Sequence, residues 1–450
     1  MRATSNWLFF TIFYFYPIFF FIERFYTTFE PNLLMAEFQT PKGMKDYSGA
    51  DALLRERMLE TIRTVYSRWG YEPLTTPAIE MRGTLGAKAG DEIEGQLFKI
   101  EESEYALRFD LTVGTARFAA NSNMPKPYKR YCIAPVWRRE EPQKGRLREF
   151  LQADADVIGS ADMRCEAELL AMAGSALSAL GFEKFEVLLN NRKILNGLLK
   201  KLKIEKKEGA VLRALDKLDK VGEKKVVLEL ESAGIGKKEI SELIDWINFD
   251  GTNEEKLERA KEYSKEGAKE LEDILCVLKF AYAISDVKID LSLVRGLGYY
   301  TGPIFEIKAG KEIGSIAGGG RYDNLLSLYG KDEPAVGISL GIERIFALQK
   351  DAGEKLGNCD VVVVTADNES YGAGISLASK LREKGISAMS DLNDRKFGAQ
   401  LKYASSIGAK FAIIIGKKEI ESGKFTLKNL GSGEQKEIGL GEIEKEILSG

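Results

Sequence analysis

The sequence predicts an α+β fold, with a strand-bearing core, a helical stretch inserted into it and a small closing α/β domain. Three observations point there. An amphipathic helix precedes two strand-like runs joined by a charged loop. Residues from about 192 to 285 are rich in Lys, Glu and Leu at helical spacing. From Asp360 onward, short fully apolar runs alternate with helical ones.

Taken in order, the first 34 residues differ from the rest: 13 of the 44 aromatic residues lie before Met35. Trp7 to Ile22 is an apolar run of 16 residues broken by Thr11 and Pro17, shorter than the roughly 20 needed to span a bilayer. It also lacks a small-residue cleavage site. The favoured reading is an upstream extension, with the folded protein starting at Met35; a membrane anchor and a folded part of the domain are the alternatives. No stable membrane association is expected after Met35.

Leu53 to Trp69 carries an apolar stripe of Leu54, Met58, Ile62, Val65 and Trp69, with Ser48 and Asp51 as capping oxygens and Gly70 as its stop. Pro77 sits in a turn-to-strand segment, TTPAIE. YKRYCIAPVWRRE and REFLQADADVIG read as a hairpin around the basic loop EPQKGRL. The Lys/Glu/Leu-rich stretch reads as a solvated helical bundle. Strands return at Val287 to Leu293 and Pro303 to Lys308. After a boundary at Lys350 to Gly357, VVVVT, a helix and FAIIIG complete the chain.

Lys and Arg number 65 against 68 Asp and Glu, so the net charge of −3 excludes a basic coat over the whole surface. Four dispersed cysteines, without a CxxC pair, argue against a disulfide scaffold and a cysteine zinc site, and fit a reducing, cytoplasmic setting. The sequence has no histidine at all. That removes imidazole bases, Ser-His-Asp triads and His-ligated metals together. Chemistry must come from carboxylates, Arg, Lys, Tyr, backbone dipoles or the substrate itself.

Four segments place polar residues where packing would not ask for them. ALRFDLT sets Arg108, Asp110 and Thr112 at alternating positions, one face of a strand. RREEPQKGRLREFLQADAD carries Arg138, Arg139, Glu140, Arg146, Arg148, Gln152 and Asp156. LVRGLGYYTG puts Arg295 beside glycines and the Tyr299–Tyr300 pair. The stretches IAGGGRYDN and GISLGIERI each pair glycines with an arginine, Arg321 and Arg344. Glycines allow close approach of a ligand, and arginines without a Walker loop suggest a triphosphate held by guanidiniums. Each piece alone is weak, since GGGR also suits a loop and Tyr-Tyr a core. Their order and spacing together are specific.

From about Phe38 to the C-terminus the sequence resembles the histidyl-tRNA synthetases, class II aminoacyl-tRNA synthetases. TPKGMKDYSG resembles their opening motif, and the Leu53 helix with Pro77 resembles motif 1. RREEPQKGRLREFLQADADVIG resembles motif 2 and AVGISLGIERI motif 3. LVRGLGYYTG and AGGGRYD resemble two signatures peculiar to the histidine enzymes, and DLNDRKFGAQLKYASSIGAKFAIIIG resembles their C-terminal anticodon-binding domain.

The resemblance implies a class II antiparallel sheet flanked by helices, divided as a leader (1–34), core (35–190), helical insertion (191–285), core (286–352) and anticodon-binding domain (358–450). It implies ATP-dependent ligation of L-histidine to histidine tRNA through histidyl-adenylate, by a homodimer built on motif 1. Arg138 and Arg295 would flank the α-phosphate, with Arg344 at the γ-phosphate and Arg146 also on ATP. Glu140 would accept from the adenine amino group, over which Phe150 stacks. Asp110, Thr112 and Gln152 would hold the substrate ammonium, Asp156 and Tyr300 would read the imidazole, and Leu111 and Tyr299 complete the histidine pocket. Mg²⁺ would come with ATP, and no protein-ligated zinc is expected. The insertion's lysines would either touch the tRNA acceptor arm or remain a solvated surface. Asp156 stands where the family often has Glu; Gly298, Gly114 and Asn324 replace its more usual Asp, Pro and Gly. Inactive relatives, such as the regulatory subunit of the first enzyme of histidine biosynthesis, usually lose the RGL-type arginine and the last domain, and both are present here. A binding module without catalysis would predict a basic surplus, which is absent.

Overall fold

The computed structural model describes residues 38–449 apart from 88–94, 143–145, 296–298, 311–313, 352–356 and 358. The aromatic leader and Gly298 lie outside the described residues.

The first helix, Gly49–Arg68, buries Met58, Leu59, Ile62, Val65 and Tyr66. Ser48 stands at its N-cap, but its side chain makes no capping hydrogen bond. Gly70, at φ +76°, provides the left-handed turn that ends it, a conformation costly for any residue with a Cβ.

Among the described residues ten strands follow before residue 345: β1 (Glu72–Pro73), β2 (Ile79–Met81), β3 (Tyr105–Leu107), β4 (Tyr128–Trp137), β5 (Glu149–Ile158), β6 (Glu186–Asn191), β7 (Val287–Ile289), β8 (Pro303–Lys308), β9 (Ser315–Arg321) and β10 (Ala335–Gly341). Eight of them form one sheet in the order β1-β4-β5-β10-β9-β8-β6-β7, while β2 pairs with β3. The pairs β1–β4 and β6–β7 are parallel and the others in this sheet antiparallel. The expected hairpin is β4–β5, in register from Tyr128 opposite Ile158 to Trp137 opposite Glu149.

Three expectations need correction. The alternation in ALRFDLT does not continue the strand, because β3 ends at Leu107 and a helix, Thr112–Ala120, begins after residues 108–111. Asp110 sets that start by accepting the Val113 backbone N–H at 3.0 Å, a local bond that outweighs the alternation. Both glycine-rich stretches lie on central strands, β9 and β10. The strand expected through Leu293 ends at Ile289. Finally, the inserted helices, from Arg192–Lys201 to Lys265–Ala281, are not merely a solvated bundle. Their Leu195, Leu198, Leu230, Trp246, Leu271 and Leu278 share one core with Ile62, Leu170 and Ile338 of the sheet and its helices.

The chain closes with a five-stranded sheet in the order β12-β11-β13-β14-β15. These strands are β11 (Val361–Thr365), β12 (Ala388–Ser390), β13 (Phe411–Ile415), β14 (Lys424–Asn429) and β15 (Gln435–Gly439). This part has its own core, including Val361, Leu377, Ile413 and Ile447. Among the described residues no helix is long and apolar enough to cross a membrane.

Candidate active site

Strand alternation builds the floor of the site. Gln152, Asp154 and Asp156 lie two apart on β5 and so share one face. Opposite them across β10 are Gly341, Ser339 and Gly337, and beyond these on β9 Gly318 and Gly320 face Ser339 and Gly337. Of these β9 and β10 positions only Ser339 carries a side chain. The glycines are filled from above: an ideal Cβ on Gly318 would lie 1.6 Å from Arg295 Nη1, and one on Gly320 would lie 2.9 Å from Tyr300 Cδ1. A Cβ on Gly337 would come within 2.0 Å of Asp156 Oδ1.

At one end of this floor guanidiniums gather. Burial, then the positive field of Arg146, and more weakly those of Arg295 and Arg138, hold the Arg344 pKa below its ordinary value, against the pull of Glu306. Three arginines from two other segments thus act on Arg344. Arg344 donates to the Ser315 carbonyl, and Arg295 Nη1 lies 3.1 Å from Glu306 Oε1. Arg138 Nε donates to the Phe109 carbonyl at 3.0 Å, and its guanidinium lies 5.1 Å from the centre of the Phe150 ring. Glu140 Oε2 is 3.1 Å from Arg146 Nη1. Like charges assembled without an equal number of anions call for an anionic ligand.

At the other end the groups are acidic and phenolic. Gln152 donates from Nε2 to Ser339 Oγ at 2.8 Å, while its buried Oε1 has no hydrogen-bond partner among the described residues. An orphaned acceptor of that kind suits an incoming cationic donor. Asp110 is buried and Thr112 half-buried at the start of the helix it caps. Leu111 is fully buried beside Cys132 and Val136, so only its backbone can face a ligand. The Tyr299 hydroxyl donates to that of Tyr300 at 3.2 Å, and the Tyr299 ring stands 6.2 Å from that of Tyr322.

Three residues that the sequence reading did not select belong here. The Tyr322 hydroxyl donates to Asp156, and the Arg130 guanidinium is paired with that carboxylate. Asp154 lies between Gln152 and Asp156, hydrogen-bonded to Ser339 and pushed up to about 7, first by burial and then by the Asp156 charge. Two acids and an arginine at inward positions of otherwise apolar strands were the available signal. Two selected arginines serve the fold instead. Arg321 is buried in a two-pronged pair with Glu166, at 2.6 and 2.9 Å, and Arg108 donates to the Pro135 and Thr76 carbonyls.

Residues 43–345 match the family described as histidyl-tRNA synthetase. The chain belongs to that family. Residues 360–449 match a second family, described as anticodon binding domain. The histidine–tRNA ligase of Aeropyrum pernix is 38% identical over 432 residues, 90% of this chain and 97% of that protein. That of Korarchaeum cryptofilum is 39% identical, covering 86% of this chain and 93% of its own. Among solved structures, the histidyl-tRNA synthetase of Nostoc sp. PCC 7120 superposes with a TM-score of 0.80 at 31% identity, over 92% of this chain and 99% of that one. As in the class II fold, the large sheet is mostly antiparallel, with the site on one face of its centre.

Proposed function

We propose that the protein activates L-histidine with ATP, releasing pyrophosphate, and passes the acyl group from histidyl-adenylate to the 3′ end of histidine tRNA. The convergence of Arg138, Arg146, Arg295 and Arg344 at the edge of a glycine floor lined by Asp110, Gln152 and Asp156 carries this reading. One end suits a triphosphate and the other a cationic amino acid.

In this reading the carboxylate of histidine attacks the α-phosphorus in line. Arg138 and Arg295 take the charge that develops on the phosphoryl oxygens, and Arg344 holds the γ-phosphate end. Glu140 and Phe150 receive the adenine, with Arg146 closing over the nucleotide. Asp110, Thr112, Gln152 and the Leu111 backbone hold the ammonium; Asp156, Tyr299 and Tyr300 line the imidazole. Leaving these polar groups unpaired penalises other amino acids. The nucleophile is the substrate's own, so the reaction needs no histidine of the protein. Mg²⁺ arrives on the ATP phosphates, the usual form in which it meets such sites.

The division at 34, 190, 285 and 352 assigns chemistry to the two core parts and anticodon binding to residues 358–450. A homodimer is supported by Ile79, Met81 and Tyr105, exposed apolar side chains that share one face of the β2–β3 pair. A reducing cytoplasm fits Cys132, Cys165, Cys276 and Cys359, all free.

Histidine-dependent exchange of pyrophosphate into ATP tests the reading. Arg295→Ala should keep the wild-type unfolding temperature and lower exchange on the order of 10², as loss of a transition-state charge contact does. Exchange near the wild-type rate would remove Arg295 from the chemistry.

A further inference from the structure

Arg130 lies on β4 directly opposite Asp156 on β5, and none of its side chain reaches solvent. Its Nη2 is ion-paired with Asp156 Oδ2, and the Tyr322 hydroxyl donates to Oδ1 of the same carboxylate. Gly337 presses against that oxygen from β10, where no side chain would fit. The carboxylate is thus clamped from three strands' worth of structure.

Stability alone does not account for this guanidinium. Arg130 Nε and Nη1 have no hydrogen-bond partner among the described residues. A buried ion pair with unfilled donors is generally no more stable than a well-packed apolar replacement. What Arg130 does supply is the cation that faces two carboxylates. The ionisable groups packed around it are Asp154 and Asp156 from β5, Cys132 and Tyr128 from β4, Tyr66 from the Gly49–Arg68 helix, and Tyr322. Asp110 and Tyr299 act on this cluster from further off. A second cation, Arg108, acts on Asp154 and Cys132 but is itself tied to the Thr76 and Pro135 carbonyls; the other groups are acids.

We propose that Arg130 is a positioning residue for histidine recognition, keeping the Asp156 carboxylate charged and aimed into the pocket. This rests on the reading of Asp156 as an imidazole acceptor. Without the guanidinium, Asp154 and Asp156 share an apolar pocket as like charges, and a proton is drawn to the pair. A protonated Asp156 offers a donor where a ring N–H needs an acceptor. Histidine affinity is then lost, and it is regained as rising pH removes that proton.

The test is pyrophosphate exchange between about pH 6 and pH 9, with KM measured for each substrate. Arg130→Met should raise the histidine KM by about 10- to 100-fold and leave the ATP KM within about twofold. The ratio of its histidine KM to wild type should shrink as pH rises, a comparison in which the substrate's own titration cancels. Arg130→Lys keeps the buried charge but loses the fork, and should raise the histidine KM about threefold at every pH. An unchanged histidine KM, an equal rise for both substrates, or a pH-independent ratio in the Met variant overturns the proposal. Should that variant fail to fold, an unaltered histidine KM in Arg130→Lys overturns it as well. Asp156→Asn separates the two layers. If it leaves the histidine KM unchanged, the reading of Asp156 itself fails. If it raises that KM while the Arg130 variants do not, only the role of Arg130 falls.

Discussion

Asp154 is the residue whose charge state the sheet controls most directly. Burial, the neighbouring Asp156 charge and the more distant Asp110 push it up to about 7, with Arg130 and Ser339 opposing. In an unfolded chain an aspartate ionises near pH 4. Between those values the folded protein keeps a proton that the unfolded chain has released. The stability this acid contributes is therefore present below about pH 4 and lost as pH rises through about 7. Asp154→Asn never ionises and escapes the loss. Its unfolding temperature, measured against wild type at about pH 5 and about pH 8, should improve relative to wild type at the higher pH. An equal difference at both would show that Asp154 titrates normally.

Strand β9 shows how an element divides between fold and chemistry. An ideal Cβ on Gly319 would meet the Gly337 carbonyl oxygen at 2.0 Å, a backbone atom that cannot yield. On Gly318 its three nearest atoms would all belong to the Arg295 guanidinium, the first at 1.6 Å, the end of a flexible side chain. Gly318→Ala should therefore fold with a near-native unfolding temperature while Arg295 is displaced, lowering exchange on the order of 10². Gly319→Ala should fail to fold stably. Normal exchange in Gly318→Ala would mean that the guanidinium is productive elsewhere. Such divisions set the limit of what the sequence discloses. The Gly49–Arg68 helix and the β4–β5 hairpin are legible because their signals, a 3.6-residue stripe and paired alternation around a polar loop, are local. The helix start at Thr112 was masked because one Asp110 bond overrides an alternation of three residues. Arg130 and Tyr322 escape a reading by segments because what they touch is fixed by register across β4, β5, β10 and β9, which no single segment encodes. Arg321, which its glycine-rich setting made stand out, turns out to serve the fold for the same reason, since its partner Glu166 is 155 residues away.

At the scale of the molecule the two cores are separate. That of residues 361–447 draws on its own strands and helices, and the larger one ends at Phe346. A chain lacking residues 358–450 should accordingly keep histidine-dependent exchange within about threefold and lose charging of histidine tRNA by at least about tenfold. Loss of exchange to the same degree would show that the large core depends on the small one.

The absence of histidine also belongs to the whole chain rather than to any site. An enzyme that makes histidyl-tRNA faces a particular feedback: when that product runs short, each histidine codon in its own message slows its replacement. A chain without histidine consumes none of its product. The chemical cost of this is small, because guanidiniums stabilise the transition state and the substrate carboxylate is the nucleophile, so no step requires an imidazole. The expectation is that proteins of similar length in the source organism carry ordinary histidine contents, and that under histidine starvation synthesis of this chain persists while theirs falls. A proteome equally poor in histidine would reduce the absence to composition bias, and starvation that slows this chain as much as the others would remove any advantage of self-supply.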